Sequence, residues 1–209
     1  GLLLLDLKTE KCIRPPFDCG KEIMNVFIDS QKRIWVAPYN GGLNCFTRDG
    51  KLLATYTTRN SSLSNNVVLS LAEREGQIWI GTDGGGINIL DPETGLFSLL
   101  EHIPGRDNYS LPANSILCLY NDRNNNMWAG SIRNGLISIR EVSMKTYTDV
   151  LPGNDRGLSN TTVLSLFQES ENRIWIGTDG GGINRFDPLT EKFTHYPSTW
   201  EDKVASICP

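Results

Sequence analysis

Residues 68–97 read VLSLAEREGQIWIGTDGGGINILDPETGLF, and residues 163–193 read VLSLFQESENRIWIGTDGGGINRFDPLTEKF. The two stretches are near-copies, the earlier being one residue shorter in the turn before its tryptophan. Looser copies stand at residues 116–139, ILCLYNDRNNNMWAGSIRNGLISI, and at residues 23–46, IMNVFIDSQKRIWVAPYNGGLNCF. Their tryptophans, Trp35, Trp79, Trp128 and Trp175, are 44, 49 and 47 residues apart. A glycine follows each of them by seven positions: Gly42, Gly86, Gly135 and Gly182. Self-similarity at such a period marks a repeat architecture.

Each copy divides into four short runs. An apolar run such as Val68–Leu71 comes first, then the run around the tryptophan, then an alternating run such as Ile183–Phe186, then a last run such as Phe193–Tyr196. Polar or glycine-rich turns separate them, Asp122–Asn126 being the most turn-like. Short β-branched and aromatic runs punctuated by Gly, Asn, Asp and Pro read as strands joined by hairpins. No segment sustains helical spacing, so helices should be scarce. Four strands in a unit of about 47 residues is the arithmetic of a β-propeller blade; β-helix repeats are much shorter.

A lone blade is a twisted sheet with two apolar faces, and stacking on the next blade buries them. The tryptophans belong in that contact, where each removes about 150–250 Å² from water. Trp→Ala there is expected to cost roughly 3–5 kcal/mol. The glycines supply positive φ in tight turns. A leucine stands five residues before three of the first strands (Leu63, Leu111, Leu158) and marks the crossing between blades.

The ends of the chain parallel the inside of a repeat. Leu4–Lys11 matches Arg185–Lys192, and Val204–Ile207 matches Val163–Leu166. The expected organisation is a propeller fragment over residues 1–209. It comprises the end of a preceding blade (1–16), blades at 17–58, 59–104, 105–151 and 152–198, and the start of a following blade (199–209). A five-bladed ring sharing one blade between both ends would lack that blade's second strand. Terminal blades need closure or capping, so the expectation is part of a larger ring; a seven-bladed one needs on the order of 330 residues.

Composition narrows the function classes. The chain is 39% hydrophobic and 21% charged, with a net charge of −4. No basic run suggests a nucleic-acid or anionic-membrane surface. No stretch approaches the roughly 18 apolar residues of a membrane helix, and Leu2–Leu5 is too short for a signal peptide. The five cysteines are odd in number and include no C-x-x-C pair, which argues against a disulfide framework or a zinc site. Cys45 and Cys118 read as small buried filler.

An enzyme would need acids, bases or nucleophiles converging on one pocket. The two histidines, His102 and His195, occupy different contexts, and His195 reads as a surface residue of an outer strand. Asp122-x-Asn124-x-Asn126 begins like a calcium loop, but Met127 and Arg133 stand where Gly and Glu belong. The glycine turns after Asp83 and Asp179 lack the lysine and helix of a phosphate cradle. Asp29–Trp35 resembles the Asp-box hairpin of sialidases, whose aspartate is structural. No catalytic residue, metal or cofactor is expected.

The pattern V-x-S-L-x-x-[DE]-x-x-x-x-I-W-I-G-T-x-x-G-G-[IL]-N-x-[FL]-D-P resembles the two-component regulator propeller repeat. It is strongest at Ile78–Pro92 and Ile174–Pro188, and the leading L-S-x-N is matched at Leu63–Asn66 and Leu158–Asn160. The departures are Pro38-Tyr39 for Gly-Thr in the first copy and Ile132–Asn134 for Asp-Gly-Gly in the third. The resemblance implies the periplasmic sensor region of a hybrid two-component histidine kinase and response regulator, anchored in the inner membrane. It implies an oligosaccharide ligand, and in the full-length chain a β-sandwich, a membrane helix and a kinase downstream. It leaves room for a homodimer.

Repeated positions build the scaffold, so recognition belongs where one copy departs from the others in a loop. Tyr39 and Arg133 do so after the second strand, and Trp200 lies outside the template. An aromatic ring and a guanidinium on one face would suit a sugar or uronate. Two other readings stay open: a protein-interaction scaffold without a small ligand, and a carbohydrate-active propeller enzyme or lyase.

Overall fold

The computed structural model describes residues 2–15, 20–104, 110–140, 144–148, 155–196 and 203–207. Among them there is no helix. The strands form four four-stranded antiparallel sheets and one two-stranded hairpin. The hairpin is β1 (Leu4–Asp6) with β2 (Lys11–Ile13). Blade one holds β3 (Ile23–Ile28), β4 (Ile34–Pro38), β5 (Leu43–Phe46) and β6 (Leu52–Tyr56). Blade two holds β7 (Val68–Arg74), β8 (Gln77–Thr82), β9 (Ile87–Leu90) and β10 (Phe97–Leu100). Blade three holds β11 (Ile116–Asn121), β12 (Met127–Ser131), β13 (Leu136–Ile139) and β14 (Met144–Tyr147). Blade four holds β15 (Val163–Ser170), β16 (Arg173–Thr178), β17 (Ile183–Asp187) and β18 (Lys192–Tyr196). Each sheet keeps its strands in sequence order. This is a β-propeller.

The blades fan about their first strands, β3 lying against β7, β7 against β11 and β11 against β15. Each first strand shifts register just after its first residue, between Ile23 and Asn25, Val68 and Ser70, Ile116 and Cys118, and Val163 and Ser165. Such bulges increase twist and re-aim side chains. Here the residue past the bulge reaches the next blade. Asn25 Nδ2 donates to Leu69 O at 3.2 Å, Ser70 Oγ to Ile116 O at 3.4 Å, and Ser165 Oγ to Val204 O at 3.2 Å. Cys118 Sγ makes the weaker equivalent, 3.9 Å from Val163 O.

Approach this close explains the glycine two residues after three of the tryptophans. A Cβ on Gly81 would lie 2.9 Å from Ile116, and one on Gly130 would lie 2.5 Å from Val163. Register also corrects the first copy: Pro38 pairs with Ile23 as Thr82 pairs with Val68. Ala37-Pro38 therefore stands where the others have Gly-Thr or Gly-Ser, and Tyr39 stands where Asp83 does.

The core is interfacial. One cluster joins Trp35, Ala37 and Leu43 to Val68, Ile78 and Ile80 of the next blade. A second joins Trp79 and Ile87 to Ile116, Met127 and Ala129, and a third joins Trp128 and Leu136 to Val163, Ile174 and Phe186. On the opposite side of blade one, Leu2 packs against Val36 and Phe46.

Three tryptophans are pinned through the indole N–H to an acid six residues upstream. Trp35 donates to Asp29, Trp128 to Asp122 and Trp175 to Glu169, each at 2.8 Å. Blade two breaks the rule because its turn is a residue shorter. Glu73 pairs with Ile78 as Asn121 pairs with Met127, so Arg74 takes the acid's place. The Arg74 guanidinium stacks over the Trp79 ring at 5.9 Å, and Trp79 Nε1 is buried with no hydrogen-bond partner among the described residues. Glu73 instead accepts from Ser30 N and Oγ in blade one.

Candidate functional site

Antiparallel order puts the loop from second to third strand and the crossing between blades at one end of the fan, with the remaining hairpins at the other. The loops that differ most between copies are at this first end, so it is the candidate recognition face. Its backbone is built by one device. Gly42, Gly86 and Gly135 have φ near +70° (72°, 73° and 73°), and a Cβ there would meet the carbonyl oxygen of Tyr56, Leu100 or Tyr147 at 2.1, 2.3 or 2.0 Å. The turn thus rests directly on the end of the fourth strand.

Each crossing then ties two blades together with consecutive carbonyls. Asn66 O accepts from Gly42 N of the blade before, and Val67 O accepts from Asp83 N of the blade after. Asn114 O and Ser115 O do the same for Gly86 N and Ile132 N, and Thr161 O and Thr162 O for Gly135 N and Asp179 N. Beneath each crossing the leucine is buried: Leu63, Leu111 and Leu158 are at most 3% exposed.

A reciprocal polar pair locks two of these crossings. Ser64 N donates to Asn88 Oδ1, whose Nδ2 donates back to Ser64 Oγ. Ser159 and Asn184 repeat the arrangement. In blade three both members are replaced, by Pro112 and Ile137, so no polar atom is left buried without its partner. Asn65 and Asn160 cap their own turns by accepting from Val67 N and Thr162 N.

The side chains of this face divide into spent and free. Asp83 accepts from Ser115 Oγ, and Asp179 lies 3.9 Å from Lys203 Nζ. Tyr39 is 58% exposed, and among the described residues only its backbone N–H is engaged, donating to Glu22 O. Arg133 is also exposed. It has φ +65° where blades two and four use Gly84 and Gly180 (φ +84° and +90°) and blade one uses Asn40 (φ +50°). Tyr39 and Arg133 thus share the end of the fan but belong to blades one and three, with blade two between them. Trp200 lies outside the described residues.

The histidines do not converge. His102 Nδ1 is 2.8 Å from Leu111 O, and His195 Nε2 is 2.8 Å from Gly157 O. His195 is half-buried, where its position on an outer strand suggested a surface side chain. Burial raises the Cys45 thiol to about 11 and the Cys118 thiol to about 12, so both stay protonated at neutral pH.

Sequence reading missed one concavity. An open slot of about 800 Å³ lies beside Trp175, lined also by Phe167, Ile183 and Ile207. Trp175 is only half-buried, whereas Trp35, Trp79 and Trp128 are at most 5% exposed. Nothing in the repeat pattern distinguishes Trp175, because what differs is its neighbour.

The two component regulator propeller model matches residues 62–84, 110–133 and 157–180. Each match runs from a crossing through the first strand, the tryptophan and the turn after it. Among solved structures, the extracellular domain of a B. thetaiotaomicron protein assigned to a hybrid two component system superposes with a TM-score of 0.72 at 24% identity. The match covers 84% of this chain and 23% of that one, so this chain spans about a quarter of that domain. The β-propeller domain of Cps50 (Swd1) from Myceliophteria thermophila superposes with a TM-score of 0.62 at 9% identity, over 90% of this chain and 58% of that one. At these identities the likeness shows the propeller fold. No curated protein matches the chain.

Proposed function

We propose, from the premise that this chain is built of two-component regulator propeller repeats, that it is part of the extracytoplasmic sensor of a hybrid two-component regulator and that the sensor binds an oligosaccharide. The observation carrying the reading is the recurrence of that repeat in three consecutive blades. In the full-length protein the propeller lies in the periplasm. It passes the binding event through a β-sandwich and an inner-membrane helix to a histidine kinase, with no catalysis in the propeller itself. The segments 17–58, 59–104, 105–151 and 152–198 act as its blades.

The recognition face is the end that carries the crossings. Its backbone groups are largely engaged in scaffold bonds, which leaves side chains to meet the ligand. Tyr39 offers a ring face for a pyranose and Arg133 a bidentate donor for hydroxyl or carboxylate oxygens. Trp200 is the third candidate contact.

Calorimetric titration of the full ectodomain with a broad glycan panel tests the reading. The expected result is one class of oligosaccharide that binds and is lost in Tyr39→Ala or Arg133→Ala. An ectodomain that binds no glycan across the panel overturns the ligand assignment and favours a scaffold that docks protein. Turnover of any glycan, abolished by substituting His102 or His195, overturns the non-catalytic reading.

A further inference from the structure

We propose that the seam between blades two and three is a hinge of the fan, held along the axis and free to open at the rim. The inference is independent of the ligand assignment. Aromatic rings clasp the rims of the two flanking seams. Between blades one and two, Trp35 stacks on Tyr56 at 6.3 Å, and Tyr56 meets Phe97 edge-on at 5.6 Å. Between blades three and four, Trp128 meets Phe186 at 5.6 Å, and Tyr147 lies 4.9 Å from Phe186 and 5.7 Å from Phe193.

Strand register shows what stands in those places between blades two and three. Leu100 pairs with Ile87 as Tyr56 pairs with Leu43 and Tyr147 with Leu136. Met144 pairs with Ile139 as Phe97 pairs with Leu90 and Phe193 with Phe186. Among the described residues, Trp79 is the only ring in its cluster. Aromatic pairs add to what buried area alone supplies, so this rim is the more weakly held.

Polar fastenings fail at the same seam. Trp35 and Trp128 are pinned through the indole N–H to an aspartate, whereas Trp79 Nε1 has no partner among the described residues. Ion pairs join Arg33 to Glu93 across one flanking seam and Lys145 to Glu191 across the other. Among the described residues none joins blade two to blade three. The crossing into blade three has Pro112 and Ile137 in place of the serine and asparagine that lock the others. The axis stays bonded: Ser70 Oγ donates to Ile116 O at 3.4 Å, and Asn121 Nδ2 donates to Glu73 O at 3.0 Å.

A seam bonded along one edge and unfastened along the other opens by rotation about the bonded edge. Tyr39 of blade one and Arg133 of blade three stand on opposite sides of it, so a molecule touching both would change the angle between the blades.

The test is exchange of the indole N–H protons with deuterium, followed by NMR on the protein isotope-labelled at tryptophan. A buried indole exchanges when its seam opens. Trp79 is expected to exchange about tenfold or more faster than Trp35 and Trp128, a ratio that corresponds to about 1.4 kcal/mol. Leu100→Tyr with Met144→Phe rebuilds the clasp and should slow Trp79 while leaving Trp35 unchanged. Tyr147→Leu with Phe193→Met copies the loose rim into the next seam and should speed Trp128 while leaving Trp79 unchanged. Equal exchange at the three indoles overturns the proposal. So does a Trp128 rate that the second pair leaves untouched, since the missing hydrogen bond alone would then account for Trp79.

Discussion

At a single residue, the same φ has different causes and therefore different consequences. Gly86 and Gly84 both lie at positive φ, 73° and 84°, but only Gly86 is pressed against another strand's carbonyl. Gly84→Ala carries only the backbone strain and should cost about 1 kcal/mol. Gly86→Ala adds a steric clash and should cost clearly more, read as a lower urea midpoint. Arg133 is the converse: a bulky residue held at φ +65° on an exposed turn. Arg133→Gly should leave stability unchanged or raise it by up to about 1 kcal/mol, while the ectodomain loses ligand affinity. A residue kept for the scaffold would show the opposite sign in melting.

Asp29 gives a pH prediction at the same scale. Burial works against its charge, but hydrogen bonds from Trp35 and Arg33 prevail and hold its carboxyl below the usual range. A depressed carboxylate contributes stability that is complete above its unfolded value near 3.8 and is lost as pH falls through the folded value. Denaturant midpoints should therefore decline below about pH 4. In Asp29→Asn the decline should be shallower, from a lower starting stability. Glu169, Asp155, Asp187 and Glu191 are also lowered, so the variant removes part of the acid response and not the whole.

Among elements, the hairpin between first and second strands decides how a tryptophan is held. Trp35→Phe removes the indole donor from the buried Asp29 carboxylate and should cost about 1–3 kcal/mol beyond the lost packing. Trp79→Phe removes an N–H that has no partner among the described residues and should cost measurably less, although both rings are buried. The crossing pair is testable as a double-mutant cycle. Ser64→Ala and Asn88→Leu should not add, with a coupling of roughly 0.5–3 kcal/mol read from urea unfolding.

These elements also show where a sequence is transparent and where it is not. The strands were legible because an apolar run around the tryptophan, followed by a glycine seven residues after it, recurs in every copy. The replacement of acid by Arg74 was not, because Glu73 also stands six residues before its tryptophan, and only strand pairing reveals that it lies opposite Ile78, where Asn121 and Gln168 lie in blades three and four. Tyr39 was aligned one position off because Ala37-Pro38 hides the Gly-Thr it replaces; the constant count from tryptophan to glycine, and the strand register, both place it with Asp83.

For the whole molecule, the large apolar clusters lie between blades, and the hairpin end adds ionic cross-links. Arg33 pairs with Glu93 at 3.2 Å, and Lys145 pairs with Glu191, each pair spanning neighbouring blades. The fold was legible at this scale because a repeated sheet has one economical way to bury both faces. The recognition face was not, beyond the positions where copies disagree. Which free side chains converge depends on how blades are ordered around the fan, and Tyr39 and Arg133 occupy non-neighbouring blades. The slot beside Trp175 was invisible because it is defined by what stands next to a repeat.

The paired carbonyls of each crossing have a further consequence for how such a face can diversify. An insertion at Asn66-Val67 or Thr161-Thr162 would have to break bonds to two sheets at once. A point substitution on the turn disturbs neither. Length should therefore vary upstream of the buried leucine, as it already does between Tyr56–Leu63 and Leu100–Leu111, while the turn after the second strand keeps one backbone and differs only in its side chains.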